Sequence, residues 1–258
     1  MSTVLPTGVD AQGIVLRVGD AAIQPEFQPV LADACATLAQ AGLGLLGIYV
    51  YGSVARGDAS PGESDLDLTL ILGEPPDSSV RESLDRLRQA LEQRHPSVTK
   101  IDFDIGDRAE VLAPEHQPKW GFWLKHHCRC VWGEDLSLHF EGFKPSRDVA
   151  RALNADFEPV LSGYLTRIDG VDSVPERLRL QREAARKLIR ATHTLRPEDA
   201  LMWPHTLEEH VALFVQHHPE MRVQIAYFLF EARNPSAERE AFCTRLQAFV
   251  TWMVSQQG

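Results

Sequence analysis

Two acidic residues separated by one leucine, Asp65 and Asp67, are the starting point for any chemistry in this sequence. They open an apolar run that ends at Leu72 and is typical of a buried strand. Residues two apart on a strand face the same side of a sheet, with Cα atoms about 7 Å apart. Two carboxylates directed at one place repel each other unless a cation lies between them. The pair therefore predicts a site for a hard cation, and Mg²⁺ is the usual ion where phosphates complete the coordination.

A Gly-Ser pair stands before these acids, directly after the short apolar run 45–51. Gly52 lets the backbone approach a phosphate closely, and the amides that follow, with the Ser53 hydroxyl, are suitable donors to triphosphate oxygens. Arg56 adds a guanidinium, which matches phosphate geometry. We expect Ser64, which immediately precedes the acidic pair, to belong to the same binding segment. The pattern predicts a triphosphate site beside the metal site.

A third carboxylate is expected from the strand predicted at 98–105, where polar and apolar residues alternate. One face of this strand carries Lys100, Asp102 and Asp104. If the strand pairs beside the strand of the acidic pair, Asp102 reaches the metal site. There it is either a third metal ligand or the base that takes the proton of an acceptor hydroxyl. Asp104 is the alternative for the same role.

The elements that position these residues predict an α/β N-terminal domain, with a short mixed sheet flanked by helices, and an all-α C-terminal bundle. The boundary is expected at a linker, 142–147, that contains Gly, Lys, Pro and Ser. We place the two domains at 1–143 and 144–258. Apolar periodicity predicts helices at 27–41, 80–92, 117–126, 149–168, 176–194, 207–216, 221–232 and 237–254, and an edge strand at 128–132.

Length and charge restrict the class of partner. A chain of 258 residues with 44% hydrophobic residues suits two domains with real cores. The formal net charge of −10 argues against nucleic acid, because phosphate neutralisation supplies much of that affinity, and favours a small acceptor with positive charge. The sequence shows no secretory signal and no stretch of about 18 apolar residues typical of a membrane span. We expect a cytoplasmic monomer or homodimer with free cysteine thiols.

Residues 52–68, GSVARGDASPGESDLDL, resemble the signature of the DNA polymerase β-like nucleotidyltransferase superfamily. In that signature a Gly-Ser pair precedes an Asp-x-Asp motif by ten to thirteen residues, and here the interval is eleven residues. The resemblance implies that Asp65 and Asp67 bind Mg²⁺, with two ions expected, and that Asp102 is the third carboxylate. It also implies that the Gly-Ser pair holds the triphosphate of ATP or another NTP.

The order of the two domains is similar to that of the aminoglycoside adenylyltransferases, with the streptomycin and spectinomycin group closest in size. In that group the third acid is a Glu that serves as base, whereas Asp102 is shorter. The segment 185–188 resembles a helix that supplies an arginine to the nucleotide phosphates, which implies this role for Arg186.

The resemblance implies transfer of AMP from ATP to a hydroxyl of a small, cationic acceptor such as an aminoglycoside. Two alternatives remain open at this point. The acceptor is a protein or a tRNA, as in regulatory or toxin-type members, or the chain is a non-catalytic nucleotide-binding module.

Four further residues, His126, His127, Cys128 and Cys130, have side chains that bind zinc elsewhere. Their spacing lacks the paired C-x2-C pattern of structural zinc sites, and neighbours on a strand point to opposite faces. The sequence therefore favours the two cysteines as small packing residues.

Overall fold

The computed structural model describes residues 7–19 and 22–256. By packing, the chain forms two compact units. The first, which we call the sheet unit, spans residues 16–143. The second, the helical unit, consists of residues 7–15 together with 144–256. In the described part of the chain, no helix is long and apolar enough to cross a membrane.

Four strands form the sheet: β1 Leu45–Tyr51, β2 Leu66–Leu72, β3 Ile101–Asp107 and β4 Arg129–Gly133. Their order is β3-β2-β1-β4. β1 runs antiparallel to β2 and to β4, whereas β2 and β3 are parallel. The predicted mixed sheet, its flanking helices and the helical C-terminal part are thus confirmed, and β4 lies at an edge as expected.

β3 begins three residues later than the sequence predicts. Residues 98–100 form a turn instead, in which the Val98 amide donates to the His95 carbonyl at 3.3 Å and the Thr99 amide donates to the Ser64 carbonyl at 3.1 Å. This turn ties the start of β3 to the loop that carries Ser64. The alternation along β3 is nevertheless as predicted, with Ile101 fully buried and Asp102 half-buried.

Helices cover one face of the sheet. The helices of this unit are α1 Gln28–Gln40, α2 Gly52–Arg56, α3 Ser78–Arg94 and α4 Arg108–Leu112. α3 begins where the Asp77 carboxylate accepts a hydrogen bond from the Val80 amide at 2.8 Å. The apolar face of the sheet packs with α1 and α3 into a core that includes Val30, Leu38, Ile48, Val50, Leu66, Leu68, Leu70, Leu84, Leu91 and Ile101.

The opposite face of the sheet is aromatic and polar. The segment predicted as a helix at 117–126 forms two π-helical turns, Gln117–Gly121 and Trp123–His127. These turns pack on the sheet with Tyr49, Ile71, Val111 and Leu136. The residues of the candidate site lie on β1, β2 and β3 outside this second cluster.

The helical unit contains α5 Arg147–Asn154, α6 Phe157–Gly170, α7 Val174–Ala191, α8 Leu207–His217, α9 Arg222–Arg233 and α10 Arg239–Ser255. The prediction of one helix at 149–168 was wrong, because Ala155 and Asp156 separate two helices. α7 packs against α6, α8 and α9. Its buried side chains, among them Leu180, Ala184, Leu188 and Ile189, form the middle of the core of this unit.

Candidate active site

Strand register places one residue from each of three strands side by side. Tyr51 on β1 pairs with Asp67 on β2, and Asp67 pairs with Asp102 on β3. Paired residues of neighbouring strands point to the same face of a sheet. The carboxylates of Asp67 and Asp102 therefore lie on one face, at one end of the sheet, as the sequence predicts.

Gly52 lies against the Asp67 carboxylate. Its φ of +72° belongs to the left-handed region, which favours glycine. A Cβ atom at this position would overlap Asp67 Oδ2. A glycine is required here both by the backbone conformation and by the closeness of the carboxylate.

Asp65 lies in the loop just before β2. Residues just before β3 contact its carboxylate. The Thr99 hydroxyl donates a hydrogen bond to Asp65 Oδ1. Lys100 Nζ lies 3.7 Å from Asp65 Oδ2 and 2.8 Å from Asp102 Oδ2. One ammonium group thus bridges two of the carboxylates that the sequence assigns to the metal site.

The pKa of Asp67 is raised to about 7, first by burial and then by repulsion from Asp102 and Asp65. Lys100 opposes this shift through its positive charge. Burial and the neighbouring acids thus favour the protonated form of this carboxyl group more than in an ordinary aspartate. The site therefore has an excess of negative charge that one lysine does not balance.

Asp104, the alternative third carboxylate, has different surroundings. It pairs with Thr69, two residues beyond Asp67, and its carboxylate accepts a hydrogen bond from the Tyr51 hydroxyl. Although Asp104 keeps exposed surface, the protein atoms around it raise its pKa, and the Tyr51 hydrogen bond lowers it. Strand register thus puts Asp102, and not Asp104, directly beside Asp67.

The predicted triphosphate-binding residues other than Gly52 differ in burial and in their contacts. Ser53 is half-buried in the first turn of α2, next to Gly52. Arg56 ends this helix, and its exposed guanidinium pairs with Asp58 at 3.2 Å. The Ser64 hydroxyl accepts a hydrogen bond from the Ser60 amide at 2.9 Å and so shapes the loop before β2.

Arg186 belongs to the other compact unit. It lies on α7, half-buried, and its Nε donates to the Ala232 carbonyl at 3.4 Å. This contact joins α7 to the end of α9. The proposed contact of Arg186 with the nucleotide phosphates stays a prediction.

The donor set suits a hard cation. Within residues 7–19 and 22–256, no three carboxylate, imidazole or thiol groups are gathered as a preformed metal site. Three carboxylates nevertheless belong to one charged group, and the Lys100 ammonium already lies between two of them. Carboxylate oxygens are the ligands that a hard divalent cation prefers, and such a cation would take the place of the Lys100 ammonium between the acids.

The candidate zinc ligands have packing partners instead. Cys128 is buried, and its thiol lies 3.8 Å from the Thr69 hydroxyl. The indole of Trp123 donates to the same hydroxyl at 3.0 Å. His126 Nε2 accepts a hydrogen bond from the Phe143 amide at 3.0 Å. These residues build the second core of the sheet unit.

The acids are recognisable in the sequence, but the residues that contact them are not. Thr99 and Lys100 were placed within a strand, whereas they lie in the turn that contacts Asp65. The hydrogen bond between Tyr51 and Asp104 was also missed, although both residues are at strand positions that share a face. The contact of Lys100 with Asp102 could have been predicted, because residues two apart on a strand lie on the same face.

Comparison with known proteins agrees with this geometry. Residues 31–120 match the family model of the nucleotidyltransferase domain, a segment that contains the predicted catalytic residues. The structure resembles that of spectinomycin adenyltransferase AAD(9) from Enterococcus faecialis, determined with ATP and spectinomycin. The TM-score is 0.56 at 15% identity, and the match covers 89% of this chain and 98% of that one. No curated protein is a significant match in sequence. The predicted resemblance to nucleotidyltransferases is confirmed for residues 31–120, and the predicted likeness in layout to an aminoglycoside adenylyltransferase is confirmed at the level of the fold.

Proposed function

We propose that this chain, which is an enzyme of the nucleotidyltransferase type, transfers AMP from ATP to a hydroxyl of a small cationic molecule such as an aminoglycoside. The supporting observation is the group of acids at the end of the sheet. Asp67 and Asp102 are paired across strands, and Asp65 is joined to Asp102 through Lys100. So many neighbouring carboxylates do not help the fold, whereas phosphoryl transfer needs them to hold metal ions.

We assign the binding of Mg²⁺ to Asp65, Asp67 and Asp102. When bound, the metal neutralises charge on the triphosphate and on the leaving pyrophosphate. The residues of the chain provide the rest of the site. Gly52 keeps the backbone close to Asp67, so that a phosphate held by the first amides of α2 and by Ser53 lies beside the carboxylates. Arg56 adds a cation that is already exposed to solvent.

In the proposed reaction the acceptor hydroxyl attacks the α-phosphorus of ATP, and the bond to the β-phosphate oxygen breaks. In addition to its metal contact, Asp102 accepts the proton of the hydroxyl through its other carboxylate oxygen, since it is half-buried beside the other acids and keeps access to solvent. Pyrophosphate leaves with the electron pair of the broken bond. The products are an AMP ester of the acceptor and pyrophosphate.

The choice of acceptor rests on charge and on structural similarity. A net charge of −10 attracts a cationic acceptor and repels nucleic acid. The similar structure, AAD(9), was determined with spectinomycin, which makes aminoglycosides and related aminocyclitols the first acceptors to test.

The decisive experiment incubates the protein with Mg²⁺, each of four α-labelled NTPs and a panel of aminoglycosides that includes spectinomycin. The expected product is one labelled antibiotic, formed from ATP. Asp65→Asn should abolish this product, whereas Asp58→Asn, which removes an exposed acid of the same unit, should retain it.

Three results would contradict the proposal. Label that appears on the protein alone, in the control without antibiotic, would indicate a macromolecular acceptor. Turnover of the Asp65→Asn variant at the rate of the unchanged protein would remove the metal assignment. Binding of ATP without any labelled product would favour a nucleotide-binding module.

A further inference from the structure

A pocket lies entirely within the helical unit. Its enclosed volume is about 30 Å³, and the rest of the pocket is open to solvent. The segment after α7 and one side of α8 form its walls. Its apolar lining comes from Leu195, Ala200, Met202, Leu213 and Phe214, and its polar lining includes Arg196 and His193. The candidate active site has no residue in this lining.

Arg196 is a buried cation without a matching anion. Arg196 is only 5% exposed, and its Nη2 donates a hydrogen bond to the Ala200 carbonyl. Nε and Nη1 have no hydrogen-bond partner among the residues that the structure describes. An arginine guanidinium stays charged, so burial of unpaired N–H groups carries a large cost in free energy.

Glu198 stabilises this charge only through space and forms no hydrogen bond with the guanidinium in the described part of the chain. Glu198 is directed to Arg147 instead, with its carboxylate 3.5 Å from Arg147 Nε, and it is exposed. Arg147 also donates to the backbone carbonyl of Arg196, which fixes the segment that carries the guanidinium. The surroundings of Arg196 therefore position its side chain but leave two of its nitrogens without a hydrogen-bond partner in the described part of the chain.

His193 lies beside Arg196 and has an unused nitrogen as well. It is 7% exposed, and its Nε2 has no partner in the described part of the chain. The rings of His193 and Trp203 are perpendicular at 4.5 Å, and the guanidinium of Arg196 lies 5.8 Å from the Trp203 ring. Aromatic packing thus holds the imidazole and the guanidinium in fixed positions at the pocket.

We propose that this pocket binds a small oxyanion, a carboxylate or a phosphate, through the unpaired N–H groups of Arg196, with His193 as a second polar contact. A guanidinium presents parallel N–H donors that match two oxygens of one anion. The apolar lining then accommodates the uncharged part of the ligand. The site is separate from the proposed transfer reaction and does not depend on it.

The test measures binding of inorganic phosphate and of benzoate to the full-length protein by calorimetry, with chloride added to keep ionic strength constant. We expect saturable binding of at least one of the two anions. A preference for phosphate would identify a phosphoryl group as the ligand, and a preference for benzoate would identify a carboxylate with an apolar body.

Arg196→Met removes the charge and keeps much of the volume, and a buried charge replaced by an apolar side chain usually leaves a protein folded. This variant should bind the preferred anion about tenfold more weakly or worse, which is the effect of losing a charge-assisted hydrogen bond. The matched control is Arg151→Gln, which removes an exposed arginine from α5 of the same unit. Its affinity should equal that of the unchanged protein.

Three outcomes would overturn the proposal: no saturable binding of either anion, equal binding by Arg196→Met, or equal weakening in Arg151→Gln. If Arg196→Met fails to fold, the NMR signals of the arginine Nε–H groups in the unchanged protein decide. Added anion should shift the Arg196 signal and leave the Arg151 signal in place. An unshifted Arg196 signal would contradict anion binding.

Discussion

The two compact units of this protein bury charge of opposite sign. In the sheet unit, burial and neighbouring acids raise the pKa of Asp67 to about 7. In the helical unit, burial and the positive charge of Arg196 lower the pKa of His193 to about 3. A bound cation would offset the acids of the sheet unit, and a bound anion would offset the guanidinium of Arg196 in the helical unit. The difference shows that neighbouring charges of opposite sign shift the pKa values of the two units in opposite directions.

The largest expected effect on activity comes from the acids of the sheet unit, and it differs between Asp102 and Asp104. Asp102→Asn should lower kcat/KM of the proposed transfer by about a thousandfold, because metal-assisted charge neutralisation supplies several kcal/mol in such reactions. Asp104→Asn, on the same face of β3 and two residues away, should lower it by less than about tenfold. Steady-state kinetics of both variants provide the measurement. Equal losses would show that Asp104 shares the role of Asp102.

Gly52 is expected to have the next largest effect. Gly52→Ala introduces a Cβ that overlaps the Asp67 carboxylate, and a shift of about 1 Å in a catalytic group costs roughly a hundredfold in rate. The matched control is Gly62→Ala, since Gly62 has a φ of +76° but no neighbour within 4 Å of the added atom.

Both alanine variants should lose about 1–2 kcal/mol of unfolding free energy from backbone strain, which denaturant titration measures. Only Gly52→Ala should also lose activity. An active Gly52→Ala enzyme would mean that the Asp67 carboxylate need not stay in its position.

The opposite pKa shifts predict opposite responses to pH in the metal-free protein. The pKa of Asp67 is higher in the folded than in the unfolded chain, so its contribution is complete below about pH 4 and is lost as pH rises towards 7. The pKa of His193 is lower in the folded chain, so its contribution is present above about pH 6.5 and is lost as pH falls towards 3.

Unfolding free energies between pH 7.5 and 4.5, measured in the presence of a chelator, test this pair. Relative to the unchanged protein, Asp67→Asn should lose about 2–3 kcal/mol on acidification, and His193→Gln should gain about as much. His205→Gln, which changes an exposed histidine of the helical unit, should follow the unchanged protein. Parallel curves for all four proteins would contradict both assignments.

The same contrast explains how far the sequence could predict the structure. The segment 52–68 combines a glycine with positive φ, an apolar strand and two acids at strand spacing, so each local pattern points to one arrangement. In the helical unit, apolar periodicity located the helices but not the break at Ala155 and Asp156. The burial of Arg196 could not be predicted either, because it depends on packing between segments that are distant in the sequence.

The smallest expected effect concerns the exposed end of α2. Arg56 pairs with Asp58 at the surface, where an ion pair contributes little to stability, so the guanidinium is available to a triphosphate. Arg56→Gln should raise KM for ATP about three- to tenfold with a small change in kcat, because a uniform contact to the substrate is lost. Asp58→Asn removes the competing carboxylate and should leave KM unchanged or lower it. Since the two variants alter the two sides of one ion pair, opposite shifts in KM would place Arg56 on the nucleotide, and equal shifts would assign the effect to the shape of the loop.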